Sequence, residues 1–346
     1  MTAPTMPTIA SATSATSAAS AARPDVRGAD IVLFGEALID DFATVQVIGG
    51  APFNVARHLA AFQARALMVT RIGADANGAL VRAEFARFAM REDGLQLDAA
   101  AATGRVLVEP HGDSHRFVIL PDQAYDRIDG ALAVAALACA TPATVYFGTL
   151  AQRGPCSRAA LAALLAARPT RRFLDLNLRD GQTTPAIVSA SLREADVVKV
   201  NEDELGELFA WYAPAALPLP PPGGRVDFDD DTQGSALRDA CLGLMHSFGV
   251  KRLIVTLGPR GAVCLDANGQ HLAAASAPLR ISDMVDTVGA GDAFSAIWLL
   301  GAALDWPLAP TLQRACEFAA AICCVAGAVP ADLAFYAPWR QRWLQG

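Results

Sequence analysis

The stretch DTVGAGDAFSAIWLLGAALDW, residues 286–306, joins a glycine-rich turn to an apolar helical pattern. Gly289, Ala290 and Gly291 precede a helix that we predict to begin near Asp292. Free N–H groups and the helix dipole make such a start an anion site, which a phosphate could approach closely because the residues are small. The Asp292 carboxylate could act there as a general base that takes a proton from an alcohol. Ordinary helix capping is the alternative interpretation.

A second glycine turn, GGAPFNVARHLAAF at residues 49–62, also leads into a predicted helix. Pro52 presets the conformation of a first helical residue. The Asn54 side chain can both donate and accept hydrogen bonds, which suits the hydroxyls of a polyol. Asp40 follows the first apolar run and could accept hydrogen bonds from two hydroxyls. Capping by Asn54 and simple solvation of Asp40 stay open as alternatives.

The segment KVNEDEL contains a third candidate pair, Asn201 and Glu204. Their N-x-x-E spacing is one helical turn, so both side chains lie on one face. An amide and a carboxylate near phosphates suit Mg²⁺ bound through water. Taken alone, the pair is interpreted more simply as a capped, acidic helix start.

Composition excludes several classes of function. The chain has 346 residues and a net charge of −7, without the basic character of a nucleic-acid binder. Its apolar stretches end before the roughly 18 residues that a membrane span needs. Lys199 and Lys251 are the only lysines, and neither lies in a G-x-x-x-x-G-K pattern, so a phosphate site must use amides, arginine or a metal. Seven scattered cysteines predict reduced thiols in core positions and a cytoplasmic protein.

Short apolar runs alternate with helical patterns from Asp30 onward. The runs that predict strands are DIVLFGEALID, ALMVTRIG, ATVYFGTL, RRFLDLNLR, ADVVKVNE and KRLIVTLG. The alternation predicts an α/β protein with a mostly parallel sheet covered by helices on both faces. In such sheets, ligands bind at the carboxyl ends of strands. The candidates at those ends are Asp40, Gly148, Asn177, Asn201 and Gly258.

Other segments depart from this alternation. Residues 1–28 are rich in Ala, Ser and Thr and predict a disordered tail, which leaves 29–346 as one domain. Residues 41–48 and 103–120 predict extended strands that form a small separate sheet or lid. Residues 213–234 are acidic and rich in Pro and Gly, and they predict a surface insertion.

Together the motifs resemble the ribokinase-like (PfkB) carbohydrate kinase family from about Asp30 to Pro330. The resemblance rests on GGAPFNVA, NEDE, VTLGPRG and DTVGAGDAFSA, in the family's order and spacing. GEALIDDF and FGTLAQRG are most similar to the bacterial fructokinase branch. The resemblance implies a three-layer α/β/α fold with a small β lid, and phosphoryl transfer from Mg·ATP to a sugar hydroxyl.

The resemblance also implies roles for single residues. Asp292 matches the general base, and residues 289–291 match an amide anion hole that stabilises the transferred phosphoryl group. Asp40, Gly50 and Asn54 match sugar contacts, and Asn201 and Glu204 match residues that hold Mg²⁺ and phosphates. The other matches are the nucleotide-side residues Thr256, Gly258, Gly261 and Arg179, and Asp286 and Thr287 in a turn beside a monovalent cation, typically potassium.

Departures from the family pattern leave the substrate open. Leu120 and Pro121 stand where fructokinase-like lids usually carry an aromatic-Arg pair, and Ala320 replaces an asparagine near the nucleotide. The alternatives to fructose are 2-keto-3-deoxygluconate, ribose, another ketose or a nucleoside. The arginines available to an acid substrate are Arg105, Arg116 and Arg127. A non-catalytic sugar-sensing protein on the same fold is an alternative of another class.

A homodimer through the lid is a further hypothesis. We expect the lid strands to expose apolar side chains, and such strands can pair with a second copy. The residues concerned are Val106, Val108, Phe117 and Ile119.

Overall fold

The computed structural model describes residues 30–42, 45–111, 114–213, 226–228, 233–278 and 281–344. The predicted tail at 1–28 and most of the predicted insertion at 213–234 lie outside these ranges. Within them, every helix is too short or too polar to cross a membrane. All seven cysteines are free, but the prediction that they fill core positions is wrong for Cys139 and Cys156, which are exposed.

Strands and helices alternate along most of the chain. The strands are β1 (Asp30–Phe34), β2 (Leu38–Asp41), β3 (Gln46–Gly49), β4 (Ala66–Gly73), β5 (Leu95–Asp98), β6 (Gly104–His111), β7 (Ser114–Ile119), β8 (Pro142–Phe147), β9 (Arg171–Asp175), β10 (Val197–Asn201), β11 (Arg252–Thr256), β12 (Ala262–Asp266) and β13 (His271–Ala274). The helices are α1 (Ala51–Ala61), α2 (Ala76–Arg87), α3 (Gly130–Ala136), α4 (Pro155–Ala167), α5 (Pro185–Glu194), α6 (Glu202–Tyr212), α7 (Gln233–Phe248), α8 (Ala290–Ala303), α9 (Leu308–Ile322) and α10 (Ala337–Leu344).

The large sheet has the strand order β13-β12-β11-β10-β9-β8-β1-β4-β5. From β11 to β5 all neighbours pair in parallel, whereas β12 and β13 add an antiparallel edge. Parallel neighbours need crossover connections, which the helices supply. The prediction of a mostly parallel sheet is therefore confirmed, and each of the six apolar runs contains a strand of it.

Helices cover both faces of the large sheet. Successive residues of a strand point to opposite faces. In β1, Val32 and Phe34 belong to the core that includes residues of α3 to α7, whereas Ile31 and Leu33 belong to the core that includes residues of α1, α2, α8, α9 and α10. The sheet is thus the middle of three layers, with a hydrophobic core on each side.

A second, smaller sheet has the order β3-β2-β6-β7 and overlaps the segments predicted to be extended. Residues 35–37 alone connect β1 to β2, so this sheet adjoins the carboxyl ends of the central strands. The expectation that Val106 and Val108 are exposed is wrong, because β6 is an inner strand and each residue is only 5% exposed. Phe117 on the edge strand β7 is 55% exposed.

Candidate active site

Asp292 lies in the first turn of α8, whose N-cap is Gly289 in a left-handed conformation with φ 79°. From α1, Asn54 Nδ2 donates a hydrogen bond of 2.7 Å to Asp292 Oδ2. Burial raises the pKa of Asp292 to about 6, against this hydrogen bond, which favours the charged form. Such a carboxyl is mostly ionised at neutral pH and is well suited to accept an alcohol proton.

The Asn54 amide is oriented by Arg57, which is only 4% exposed. Arg57 Nη2 donates to Asn54 Oδ1 at 2.5 Å and to Ile48 O at 2.9 Å, and Nη1 pairs with Glu84 at 2.9 Å. A guanidinium only donates, so Asn54 must present its oxygen to Arg57 and its NH₂ group to Asp292. No motif in the sequence singles out Arg57; its one signal is a charge within the apolar face of a helix.

The two glycines of the turn before α8 meet different surroundings. A Cβ atom on Gly289 would lie 2.4 Å from Ala328 Cα, so only glycine fits both the backbone conformation and the close approach. A Cβ on Gly291, which is exposed, would meet only Lys199 Nζ at 3.4 Å. First-turn N–H groups have no acceptor inside their helix. The turn therefore offers backbone donors beside a carboxylate and an ammonium group.

A buried ion pair lies next to this turn. Lys199 Nζ is 2.8 Å from Asp175 Oδ1, and Ser295 Oγ donates to Asp175 Oδ2 at 2.8 Å. Burial opposes the charge of Lys199, but Asp175 and Glu204 outweigh it and raise the pKa of this lysine. A permanent positive charge near Gly291 favours an anion there. The sequence signal for Lys199 is a single charge in the middle of a strand, and it was missed.

Asp40 lies in β2 beside Gly49, whose Cβ would be 2.3 Å from Asp40 Oδ2. Burial raises the pKa of Asp40 to about 6, while the charges of Arg179 and Arg57 lower it. Within the described ranges, no group donates a hydrogen bond to this carboxylate. Its acceptor capacity is thus available to a ligand.

Glu36, in the connection from β1 to β2, was not predicted as a site residue. It is 4% exposed, burial raises its pKa to about 7, and its Oε2 finds no partner among the described residues. Its carbonyl oxygen would touch a Cβ on Gly50, the N-cap of α1 at φ 101°. The charge of Arg179 lowers the pKa values of Glu36, Asp40 and Asp292 alike. Arg179, assigned by resemblance to the nucleotide side, therefore acts electrostatically on these three carboxyls.

Asn201 and Glu204 form a capping box at the start of α6. Asn201 Oδ1 accepts from Glu204 N at 2.8 Å, and Glu204 Oε2 accepts from Asn201 N at 2.9 Å. Glu204 Oε1 also accepts from Leu178 N at 2.8 Å. The simpler interpretation, a capped helix start, is confirmed. It also fixes both carboxylate oxygens at the carboxyl end of β10, each with a lone pair left for a metal-bound water.

A divalent cation fits this arrangement only with outside ligands. Within the described ranges, no three His, Cys, Asp or Glu side chains come together as a metal cluster. Mg²⁺ typically keeps several waters and binds through one or two carboxylates plus substrate phosphates. Glu204 and Asn201 suit that mode of binding.

The other candidates lie on two further turns. Thr256 pairs in register with Asn201, and Gly258 and Gly261 follow it with φ values of 57° and 98°. Asp286 Oδ1 accepts from Val288 N at 3.0 Å and Oδ2 from Gly327 N at 3.3 Å. Ala290 N donates a hydrogen bond to Thr287 O at 3.3 Å. The carbonyl and carboxylate oxygens of this second turn are ligands that suit a monovalent cation.

Comparison with known proteins gives the family and the fold of the chain. The profile of the pfkB family carbohydrate kinases matches residues 25–333. A fructokinase from Escherichia coli is 28% identical over 291 residues, which cover 79% of this chain and 84% of the relative.

Solved structures share the fold at lower identity. Fructokinase from Xylella fastidiosa with bound ATP has a TM-score of 0.70 at 21% identity, covering 92% of this chain and 99% of that one. Fructokinase from Vibrio cholerae O395 with fructose, ADP and calcium has a TM-score of 0.68 at 22% identity, covering 90% and 99%. These matches confirm the predicted three-layer, ribokinase-like fold. Because the family profile spans most of its length, the chain belongs to the pfkB family of carbohydrate kinases.

Proposed function

We propose that this protein is an ATP-dependent fructokinase with Asp292 as its catalytic base. The observation that carries the proposal is the position of Asp292. Its half-buried carboxylate, with a pKa raised by burial to about 6, lies in the first turn of α8 among donors suited to an anion. Fructose, ADP and ATP bound to the two related fructokinases support the choice of substrates.

Each group of the site has one role in the proposed reaction. Asp292 takes the proton of a sugar hydroxyl, whose oxygen forms a bond to the γ-phosphorus as the bond to the leaving ADP oxygen breaks. Backbone N–H groups at Gly291 and the Lys199 ammonium stabilise the charge on the transferred group. Asn54 and Asp40 orient the sugar through its other hydroxyls.

In the proposed reaction, cations hold the phosphates of the nucleotide in place. Asn201 and Glu204 would hold Mg²⁺ through water, and Asp286 and Thr287 would lie beside K⁺. A bound divalent cation neutralises phosphate charge. Thr256, Gly258 and Gly261 would contact the nucleotide on the neighbouring strand end.

A neutral sugar suits the site better than a sugar acid. Asp40 pairs in register with Val47 and Val106, whereas Arg105 pairs with Ile39 and so lies on the other face of the small sheet. There Arg105 donates twice to a single carboxylate, that of Asp41, at 2.9 and 2.5 Å.

Carboxyls predominate on the sugar side of the proposed site. Glu36, Asp40 and Asp292 all feel the charge of Arg179. The other two cations near them, Arg57 and Lys199, are already paired with Glu84 and Asp175. A carboxylate such as that of 2-keto-3-deoxygluconate would be repelled by them. The other arginine of the lid, Arg116, lies outside the described side chains.

Two further parts of the proposal concern the protein's surroundings. Val45, just before the edge strand β3, and Phe117, on the edge strand β7, are 56% and 55% exposed, which supports a homodimer through the lid. Light scattering that returns a monomer mass at assay concentration would contradict the homodimer.

The free thiols, two of them on exposed cysteines, support a reducing compartment such as the cytoplasm.

The test is ADP release with Mg·ATP and K⁺ across fructose, ribose, tagatose, 2-keto-3-deoxygluconate, inosine and adenosine. We expect the highest kcat/KM with fructose. Asp292→Asn should abolish turnover and leave fructose binding measurable by calorimetry. Asp305→Asn, the same change at the exposed far end of α8, is the matched control.

Each of the other possible outcomes contradicts one part of the proposed function. Preference for another sugar overturns the assignment of fructose, and near-normal turnover of Asp292→Asn overturns the base. Sugar binding without ADP release on any substrate would replace the kinase by a sugar-sensing protein.

A further inference from the structure

One buried histidine has no part in the proposed reaction. His58 is fully buried on α1, four residues after Asn54 and therefore on the same face of the helix. Asn54 contacts the side chain of Asp292. His58 contacts Ala328 O, and Ala328 packs directly against Gly289. Two side chains of one helical face thus reach the start of α8 from two sides.

The hydrogen bonds of His58 define its protonation. Nε2 lies 3.1 Å from Ala328 O, and Nδ1 lies 2.8 Å from the Tyr336 hydroxyl. A carbonyl oxygen only accepts, so Nε2 carries the proton and Nδ1 accepts from Tyr336. Burial, with the charge of Arg57, lowers the pKa of His58 to about 3. The ring is therefore neutral and held in one tautomer.

The carbonyl that His58 binds belongs to the segment that supports the glycine turn. Ala328 Cα lies 2.4 Å from the place where a Cβ of Gly289 would be. The same segment donates from Gly327 N to Asp286 at 3.3 Å, and Cys323 O accepts from Val285 N at 2.9 Å. A shift of residues 323–328 would therefore displace the turn that begins α8.

We propose that His58 is a positioning residue that holds Ala328 against Gly289 and so keeps the first-turn N–H groups of α8 aligned with the phosphoryl group. This inference rests on the proposed function for the role of those N–H groups. A displacement of about 1 Å at a reacting centre can lower turnover by about 10²-fold. Sugar contacts at Asp40 and Asn54 do not involve His58, so the KM for fructose should stay within about twofold of wild type while kcat falls.

The experiment compares three variants with the full-length enzyme. His58→Leu removes the donor to Ala328 O, whereas His58→Gln keeps an N–H donor of similar reach. Phe62→Leu is the control, because Phe62, the C-cap of α1, is buried in the same aromatic cluster, against Phe318 and Tyr336. The measurements are kcat and KM, and hydrogen–deuterium exchange within residues 289–293, below the unfolding temperature of every variant. The reporting amides are those of Ala290 and Ala293, which donate to Thr287 O and Gly289 O.

We expect His58→Leu to lower kcat and speed exchange at 289–293, with His58→Gln and Phe62→Leu close to wild type. An equal loss in Phe62→Leu, or no recovery in His58→Gln, would assign His58 to packing alone and overturn the proposal. If His58→Leu does not fold, Tyr336→Phe removes only the hydroxyl that donates to Nδ1 and helps to hold the ring against Ala328 O. It should lower kcat a few-fold, and unchanged kcat and exchange would count against the proposal.

The exchange measurement also separates this inference from the proposed function. If wild type phosphorylates no sugar, faster exchange at 289–293 in His58→Leu alone still supports the inference that His58 holds Ala328 against Gly289. Unchanged exchange would overturn that inference whether or not the enzyme is active.

Discussion

Removing the hydrogen bond from Asn54 to Asp292 should move the pH dependence of the reaction. In the proposed reaction, Asp292 is a base with a pKa of about 6. The wild-type rate should therefore fall as the pH drops below about 6, because protonated Asp292 cannot accept the sugar proton. Asn54→Leu deletes the donor that favours the charged carboxylate. The pKa of Asp292 should therefore rise, and the acidic limb should move to higher pH.

The size of the shift follows from the strength of the bond. A hydrogen bond to a charged group contributes about 1.5–3 kcal/mol, and a pKa unit corresponds to about 1.4 kcal/mol, so we expect a rise of about one to two units. At pH 7 the ionised fraction of Asp292 would fall from about 90% to between about 50% and 10%. The assay is kcat against pH from 5 to 9 at saturating fructose and ATP, which reports groups in the complex rather than lost sugar affinity.

This variant also separates Asp292 from its neighbours. Asp40 and Glu36 have pKa values raised by burial to about 6 and 7, so wild type alone cannot assign the limb. Asn54 donates to Asp292 and to neither of the other two. Asn268→Leu, the same change at an exposed turn, is the control. A limb that stays in place, or moves to lower pH, would refute the reasoning.

Three more substitutions test the glycine turn and the ion pair beside it. Gly289→Ala should destabilise the protein by more than about 1–2 kcal/mol in denaturant unfolding, since a left-handed backbone and Ala328 both oppose a Cβ. Gly291→Ala should leave unfolding unchanged or raise stability by up to about 1 kcal/mol, yet lower kcat by crowding the phosphoryl site; wild-type kcat would contradict the anion hole. Lys199→Met should lower the free energy of unfolding by about 3–5 kcal/mol in denaturant, because it leaves the charge of Asp175 buried and unpaired. A smaller loss would contradict the importance of this ion pair for stability.

The large sheet could be predicted from sequence because its signals are local. Apolar runs of strand length, separated by helical patterns, specify a parallel sheet without any knowledge of contacts. The carboxyl-end rule then selected Asn201, which lies at the end of β10. The dependence on local signals also explains why the exposure of Val106 was mispredicted. Alternation shows which residues share a face of a strand, but not whether that strand lies at an edge or inside the sheet.

The residues that were missed act through contacts distant in sequence. Arg57 matters because it orients Asn54 toward Asp292, 238 residues further on. Lys199 matters because β10 brings it under the turn at Gly291. Neither residue has a spacing pattern of its own. Glu36 could have been found, since an acid follows the glycine that ends the first strand, at the edge where ligands bind.

Capping and chemistry competed as explanations for each motif, and the structure separates them by where the hydrogen bonds go. Asn201 and Glu204 bond to their own helix start, so capping accounts for their contacts and any role toward phosphate is additional. Asp292 differs, because the N-cap of its helix is Gly289 and its carboxylate is held by Asn54 from another helix. A carboxylate that does not cap its own helix, and whose pKa is raised by burial to about 6, contributes less to stability than a solvated one would. That unfavourable position is the strongest physical argument for the proposed role of Asp292 as the catalytic base.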